Sequence, residues 1–279
     1  MNKSQLSWMA AGAAITVGVG IVIGLVVMYS GVYNVSAISQ HTRPVYWIFE
    51  KGMRRSVERH SAGIEAPDLD DPQLLRVGAQ CYQLHCTQCH GAPGIAPDGF
   101  GNGMLPLPNN LTQTAHDWPA EQIYWVTRNG IRMAGMPAWA YRLSDRNLWA
   151  ITAFVDRQLP KLTVAEYAQL MSEVADERCS AAEQSARVDA ERGRIAIAQY
   201  GCHGCHIVPG LAGPETYVGP SLAGFASRTT IAGVVPNTRG NLVRWLRDPR
   251  AISPDTLMPD LGVTAQHAAE MAAYLATLH

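Results

Sequence analysis

The sequence predicts an all-α protein: a single N-terminal transmembrane helix followed by two similar helical domains. Three observations predict it. An apolar stretch long enough to cross a bilayer lies near the amino terminus, one plan of helices and loops occurs twice downstream, and strand signals are weak throughout. The bulk numbers agree. At roughly 150 residues per domain, 279 residues suggest about two domains. Charged residues make up only 16% and apolar ones 47%, so cores can be buried. The formal net charge of -1 lacks the basic excess of a nucleic-acid binder, and the composition lacks the low hydrophobicity of a disordered chain.

Between Lys3 and Arg43 no residue is formally charged, and Trp8 to Tyr29 is apolar or small apart from Thr16. About 20 apolar residues at 1.5 Å each span a hydrocarbon core of roughly 30 Å. A signal peptide competes, with Val35-Ser36-Ala37 as a weak cleavage site. Its apolar region usually runs only about 7–15 residues behind a basic start, so an uncleaved anchor in residues 1–37 is expected. Gly12, Gly18, Gly20 and Gly24 are ordinary membrane-helix glycines or a close-packing face for a partner helix. Residues 38–72 form an interfacial or linker segment. Pro44 suits a helix start, and Tyr46 and Trp47 suit a membrane–water boundary. Lys51, Arg54, Arg55 and Arg59 could meet lipid headgroups; a solvated basic helix fits nearly as well. Positive charge normally marks the cytoplasmic side, and more of it follows the span than precedes it, so orientation depends on the downstream domains.

The first copy of the repeated plan occupies residues 73–158. Asp71-Pro72 supplies a cap and a first-turn proline. Leu74, Val77, Gly78, Cys81 and Tyr82 follow at helical spacing and lead into Cys86-Thr87-Gln88-Cys89-His90. A Gly/Pro-rich loop runs from Gly91 to Asn110. A second helix from Pro119 to Asn129 stops at Gly130, Gly135-Met136-Pro137 comes next, and Ser144 caps a helix with Leu148, Ile151 and Val155. Residues 159–187, polar and alanine-rich, read as a helical linker or a long exposed helix. The second copy, 188–279, has a helix through Ile195 and Ala198, then Cys202-His203-Gly204-Cys205-His206. A short helix carries Leu242, Trp245 and Leu246, Leu257-Met258-Pro259 follows, and Thr264 caps a helix with Met271, Leu275 and Leu278 on one face.

Cys-x-x-Cys-His is the attachment signature of c-type haem. Two thiols three positions apart add to the vinyl groups of one haem, and the adjacent histidine supplies an iron ligand. The opposite axial position stays open for a second ligand, and Met/His ligation is the cytochrome c pattern. A zinc site would want four closed ligands, and a thioredoxin-type pair would want a βαβ context that is missing here. Each pair instead has its own histidine and a distant Met-Pro.

At these residues the chain resembles class I c-type cytochromes arranged as two tandem cytochrome c-like domains. The first copy has Gly78-x-x-x-Tyr82-x-x-x-Cys86-x-x-Cys89-His90-Gly91, then Arg128-Asn129-Gly130-Ile131 and Gly135-Met136-Pro137-Ala138-Trp139. The second has Val218-Gly219-Pro220-Ser221-Leu222, Trp245-Leu246-x-Asp248-Pro249 and Thr256-Leu257-Met258-Pro259. The resemblance implies two haem c groups with iron. One is held by Cys86 and Cys89 with His90 and Met136 as ligands, the other by Cys202 and Cys205 with His206 and Met258. Met133 and Met104 rival Met136. His85, His203 and His116 are expected to be surface or packing residues. In the family a loop proline carbonyl accepts the second N–H of the ligating histidine; Pro220 matches, and Pro106 and Pro108 both fit in the first copy. Tyr82, Trp125, Trp139 and Trp245 are expected to pack, and Arg128, Arg228 and Arg247 either meet haem propionates or are solvated.

Cys81 and Cys179 remain. A bridge between them would tie the linker to the first domain; otherwise Cys81 is a buried helix residue and Cys179 a free thiol. Haem attachment in the family is extracytoplasmic, which implies a single-pass protein of the bacterial inner membrane with its haem domains in the periplasm. With both axial positions filled, the chain is expected to be no enzyme by itself but a membrane-tethered electron carrier or a subunit of an oxidoreductase complex. Its expected partners are membrane lipid, a respiratory terminal oxidase, or a periplasmic dehydrogenase whose electrons it accepts. A soluble cytochrome or cupredoxin is a further candidate, and no nucleic acid is expected. The diheme subunit of a cbb3-type oxidase resembles the plan of one anchor and two haems, although the segment from His41 to His60 does not obviously match it. A diheme peroxidase or thiosulfate dehydrogenase would need an exchangeable ligand, and a purely structural role would leave two haems idle.

Overall fold

The computed structural model describes residues 2–132, 134–179 and 188–279. It is mostly helical and divides into two compact units: Met1–Ala140 with Asp145–Cys179, and Tyr141–Ser144 with the described part of Ser180–His279.

In the first unit, α1 (Lys3–Ser30) contains Ser7–Ser30, whose mean hydropathy of 2.4 and lack of buried residues make it long and apolar enough to cross a membrane. Helix α2 (Arg43–Ser61) starts with Pro44 in its first turn and buries Val57 and Ser61. Helix α3 (Pro72–His85) is capped by Asp71, whose carboxylate accepts the Gln73 N–H at 3.0 Å. Its buried side chains include Leu74, Val77, Cys81 and Tyr82, the residues that the helical spacing places on one face. Single turns α4 (Thr87–His90), α5 (Gly99–Asn102) and α6 (Thr114–Asp117) carry the loop to α7 (Ala120–Asn129). Helix α8 (Asp145–Ala153) is buried from Asn147 onward and continues into one π turn, Phe154–Gln158. Helices α3 and α8 cross at Gly78, where a Cβ would lie 2.0 Å from the Ala150 carbonyl oxygen, so only a hydrogen fits between the two backbones.

Residues 159–179, expected to begin a linker, instead pack on α3. Helix α9 (Val164–Glu173) is capped by Thr163 and Glu166. Tyr167 and Val174 are buried, and the Tyr167 hydroxyl donates to Gln83 Oε1 at 2.7 Å. Arg76 Nε donates to Glu177 at 2.9 Å, and Cys81 and Cys179 form a disulfide with Cα atoms 5.1 Å apart. The averaged polar composition hides a narrow apolar stripe, Tyr167 and Val174 being two helical turns apart.

In the second unit, α10 (Ala190–Gln199) is capped by Asp189. Two-residue strands β1 (Thr230–Ile231) and β2 (Val235–Pro236) pair antiparallel. Helices α11 (Arg239–Arg247) and α12 (Ala265–Leu275) are capped by Thr238 and Thr264. Ile197, Phe225, Leu242, Trp245, Met271, Leu275 and Leu278 share one core. Helices α10 and α12 cross at Gly193, where a Cβ would stand 2.0 Å from the Glu270 carbonyl oxygen. Glu270 itself is buried and accepts from Arg192 Nε at 2.9 Å and Gln266 Nε2 at 2.8 Å. In each unit two helices distant along the chain, α3 and α8 or α10 and α12, thus meet at a glycine set against backbone.

Candidate cofactor sites

Helix α3 delivers Cys86 to the start of α4. The Cys86 carbonyl accepts the N–H groups of Cys89 at 3.1 Å and His90 at 2.9 Å, winding both cysteines and the histidine into one turn. The buried Tyr82 hydroxyl donates to the Gly91 carbonyl at 2.7 Å and fixes the chain just past His90. His90 Nδ1 lies 2.6 Å from the Asn109 carbonyl oxygen. A carbonyl only accepts, so Nδ1 carries the proton and Nε2 keeps a free lone pair, the tautomer that an iron ligand needs. Burial, only partly offset by that hydrogen bond, holds His90 below the usual imidazole range and so favours the neutral ring. The acceptor corrects the expectation of Pro106 or Pro108: the carbonyl in reach is that of Asn109, one residue beyond Pro108.

The second unit repeats this turn with the same distances. The Cys202 carbonyl accepts from Cys205 at 3.1 Å and from His206 at 2.9 Å. His206 Nδ1 lies 2.7 Å from the Pro220 carbonyl, the acceptor anticipated from the sequence. Gly219 lies so close that a Cβ would be 2.4 Å from His206 Cε1, so loop backbone locks the ring.

The methionines are held differently. In the first unit Gly130, at φ 68°, adopts the left-handed conformation that lets the Ile131 N–H turn back onto the Met136 carbonyl at 3.2 Å. Met104 has its methyl beside Gly135, so that rival shares the neighbourhood of Met136, and Met133 lies outside the described residues. In the second unit the Trp245 indole N–H donates to Met258 Sδ at 3.1 Å, and Thr256 Oγ1 accepts from the Met258 N–H at 3.2 Å. Trp245 packs in the core as expected, and the fold in addition brings its indole to the Met258 sulfur, which nothing in the sequence signals.

Other side chains have plain structural partners. His85 packs on Trp139 and His60 on Trp125, with ring centroids 5.2 and 5.7 Å apart. His116 is exposed. Arg128 interacts with Tyr124, whose hydroxyl donates to Asp145. Arg228 donates to the Ser221 and Ala223 carbonyls over the Phe225 ring.

Neither Cys-x-x-Cys pair is oxidised. Burial, with a smaller contribution from Cys89, pushes the Cys86 thiol up to about 12, and burial also raises Cys89 and Cys202. A redox-active pair needs a lowered thiol pKa. Among the described residues no three His, Cys, Asp or Glu side chains converge as a zinc centre would require. Two thiols beside a correctly protonated histidine, with a methionine further along the chain, fit haem c.

The comparisons with known proteins agree for the first unit. Residues 73–155 match the family model described as cytochrome c oxidase, cbb3-type, subunit III. The chain is 37% identical over 70 residues to cytochrome c oxidase subunit 2 of Alkalihalophilus pseudofirmus (strain ATCC BAA-2126 / JCM 17055 / OF4), covering 25% of this chain and 20% of that one. It is 38% identical over 65 residues to cytochrome c oxidase subunit 2 of Bacillus sp. (strain PS3), covering 23% and 18%. The chain thus spans about a fifth of the length of the curated relatives it matches. No solved structure matches it. The matched segment contains the buried α3–α8 crossing and the Cys86–His90 turn, and it supports reading the first unit as a c-type cytochrome domain of the electron-transfer kind, which implies haem c with its iron.

Proposed function

We propose that the chain is a membrane-tethered diheme cytochrome that relays electrons on the periplasmic side of a bacterial inner membrane to a terminal oxidase, as a carrier or as a subunit. The observation that carries the count of two is the duplicated turn. Both units place a cysteine carbonyl over the following cysteine and histidine at the same two distances, and both aim histidine Nδ1 at a loop carbonyl. In this reading Cys86, Cys89, Cys202 and Cys205 form the thioether links, and His90, Met136, His206 and Met258 are the axial ligands. Haem c supplies one-electron exchange between ferric and ferrous iron. The protein's own part is to keep each histidine neutral and oriented, to place a thioether sulfur, and to bury the surroundings.

The oxidase end of the relay is supported by the names of the matching family and relatives. The anchor is supported by Ser7–Ser30. Intact-protein mass spectrometry and haem staining test the count: the native chain should carry two haems, and Cys202→Ser/Cys205→Ser should carry one. A native chain with a single haem refutes the diheme reading. Purification of the complex from native membranes tests the partner, which should be an oxidase whose turnover with a reduced donor falls when the chain is removed.

A further inference from the structure

Helix α2 is seated on the body by its C-terminal half only. Val57 and Ser61 are buried against the region of α7, Arg54 pairs with Glu50 and lies 5.0 Å above the Trp118 ring, and His60 faces Trp125. Its first two turns have no such seat. Tyr46, Trp47, Ile48 and Phe49 are 56–61% exposed. Four consecutive residues at 3.6 per turn cover the whole circumference, whereas a helix resting on a protein surface in water shows one apolar stripe. Tyr33, just past the end of α1, hydrogen-bonds to His41 Nδ1 at 2.5 Å, and the His41 ring packs on Phe49 with centroids 5.7 Å apart. That short relay of rings sets the apolar end of α2 beside the end of the apolar span. Lys51, Arg55 and Arg59 lie one turn apart on the exposed side. Arg55 pairs with Glu58, while neither Lys51 nor Arg59 has an ion-pair partner among the described residues. Arg54, one of the four basic residues expected at headgroups, faces the body instead.

We infer that α2 is a lipid-contacting element. Its Tyr46–Phe49 turns sit in the interfacial layer of the bilayer that α1 spans, and its Lys51–Arg55–Arg59 stripe meets anionic headgroups. This rests on reading α1 as a membrane span. The occupant is lipid because tyrosine and tryptophan favour the interface, because the free charge on this side is positive, and because the ring contacts tie this end of α2 to the end of α1. Held at two points, the span and the interfacial helix, the first unit keeps a fixed orientation to the membrane.

The test uses the full chain with its haem, reconstituted in nanodiscs of phosphatidylcholine with or without phosphatidylglycerol. Photoreactive p-benzoylphenylalanine replaces Ile48, Val22 or Val57 in separate variants. Lipid adducts at positions 48 and 22 and none at buried 57 are expected, with the adduct at 48 enriched by phosphatidylglycerol and reduced by Lys51→Gln/Arg55→Gln/Arg59→Gln. Lipid adducts at 22 without any at 48 overturn the inference and leave the anchor standing. So does a protein adduct alone at 48. Absence of lipid at both 22 and 48 overturns both. An adduct at 48 that ignores the three basic residues overturns the headgroup contact.

Discussion

Gly78→Ala adds one methyl group at the most crowded point of the first unit. The new Cβ would lie 2.0 Å from the Ala150 carbonyl oxygen, 2.6 Å from the Ala150 carbonyl carbon and 2.9 Å from Phe154 Cβ. Carbon–oxygen contacts normally settle at about 3.3–3.6 Å, so α8 must retreat from α3 by roughly 1.5 Å. The surrounding Tyr82, Leu148, Ile151 and Phe154 are all fully buried, and a close-packed interior cannot absorb that shift locally. Overpacking of this kind costs about 1–3 kcal/mol and occasionally more. The clash is with backbone rather than a flexible side chain, which puts the cost at or above the top of that range. Alanine's helix preference over glycine returns about 1 kcal/mol. The net expectation is a loss of about 2 kcal/mol or more, a drop in Tm of roughly 4–8 °C for a unit of this size. Differential scanning calorimetry of the full chain reads it as a lowered first-unit transition. Gly193→Ala should do the same to the second unit, since its Cβ would meet the Glu270 carbonyl at the same 2.0 Å. Gly52→Ala is the control: nothing lies within 4 Å, so the methyl should stabilise α2 by about 0.5–1 kcal/mol. A Gly78→Ala protein within 0.5 kcal/mol of the parent would refute the steric reasoning.

Other perturbations separate the remaining contributions. Replacing Cys81 and Cys179 together with serine opens a link spanning 98 residues and should destabilise the first unit by about 2–5 kcal/mol, while the second-unit transition stays in place; equal shifts in both would argue against the unit boundary. Arg192→Met strands the buried Glu270 carboxylate and should cost about 3–5 kcal/mol, much of it recovered in Arg192→Met/Glu270→Met; a double variant no better than the single would show that the pair is not the cause. Trp245→Phe removes the donor on Met258 sulfur. On the proposed ligation of a second haem by Met258, a hydrogen bond there would weaken the sulfur as an electron donor, so its loss should lower that haem's midpoint potential, by at most about 60 mV for a bond of about 1.5 kcal/mol; spectroelectrochemical titration showing a rise would contradict that reading. Burial depresses His85, so between its folded pKa and the unfolded value of about 6.5 the unfolded chain binds more protons. First-unit stability from this group is full at higher pH and falls as pH drops below about 6.5, and His85→Gln should flatten that dependence in urea titrations run from pH 8 to pH 5.

The two Cys-x-x-Cys-His turns were legible because each motif is written in contiguous chain. Cys86 to His90 and Cys202 to His206 each occupy a single turn, closed by hydrogen bonds between residues three and four apart. Two helix starts were legible for the same reason: Asp71 and Thr264 cap through atoms two or three residues away. Partners distant along the chain were not. The His90 acceptor moved from the prolines to Asn109 because a loop from Gly91 to Asn110 can present any of several carbonyls, and only its packed path selects one. The segment 159–179 passed for a linker because its few apolar residues matter only once α3 is there to receive them.

Sequence alone therefore determined the two Cys-x-x-Cys-His turns, the apolar span and the helical class, each set by interactions within a few residues. The tertiary structure decided how these pieces meet. Cys81 and Cys179 were left open as a bridge or as two thiols, and they pair because α3 and the chain after α9 lie side by side. Gly78 and Gly193 showed in the sequence only as a motif residue and an unremarked glycine. Their shared role follows from helices separated by some seventy positions approaching until a hydrogen is all that fits, a constraint set by packing in three dimensions.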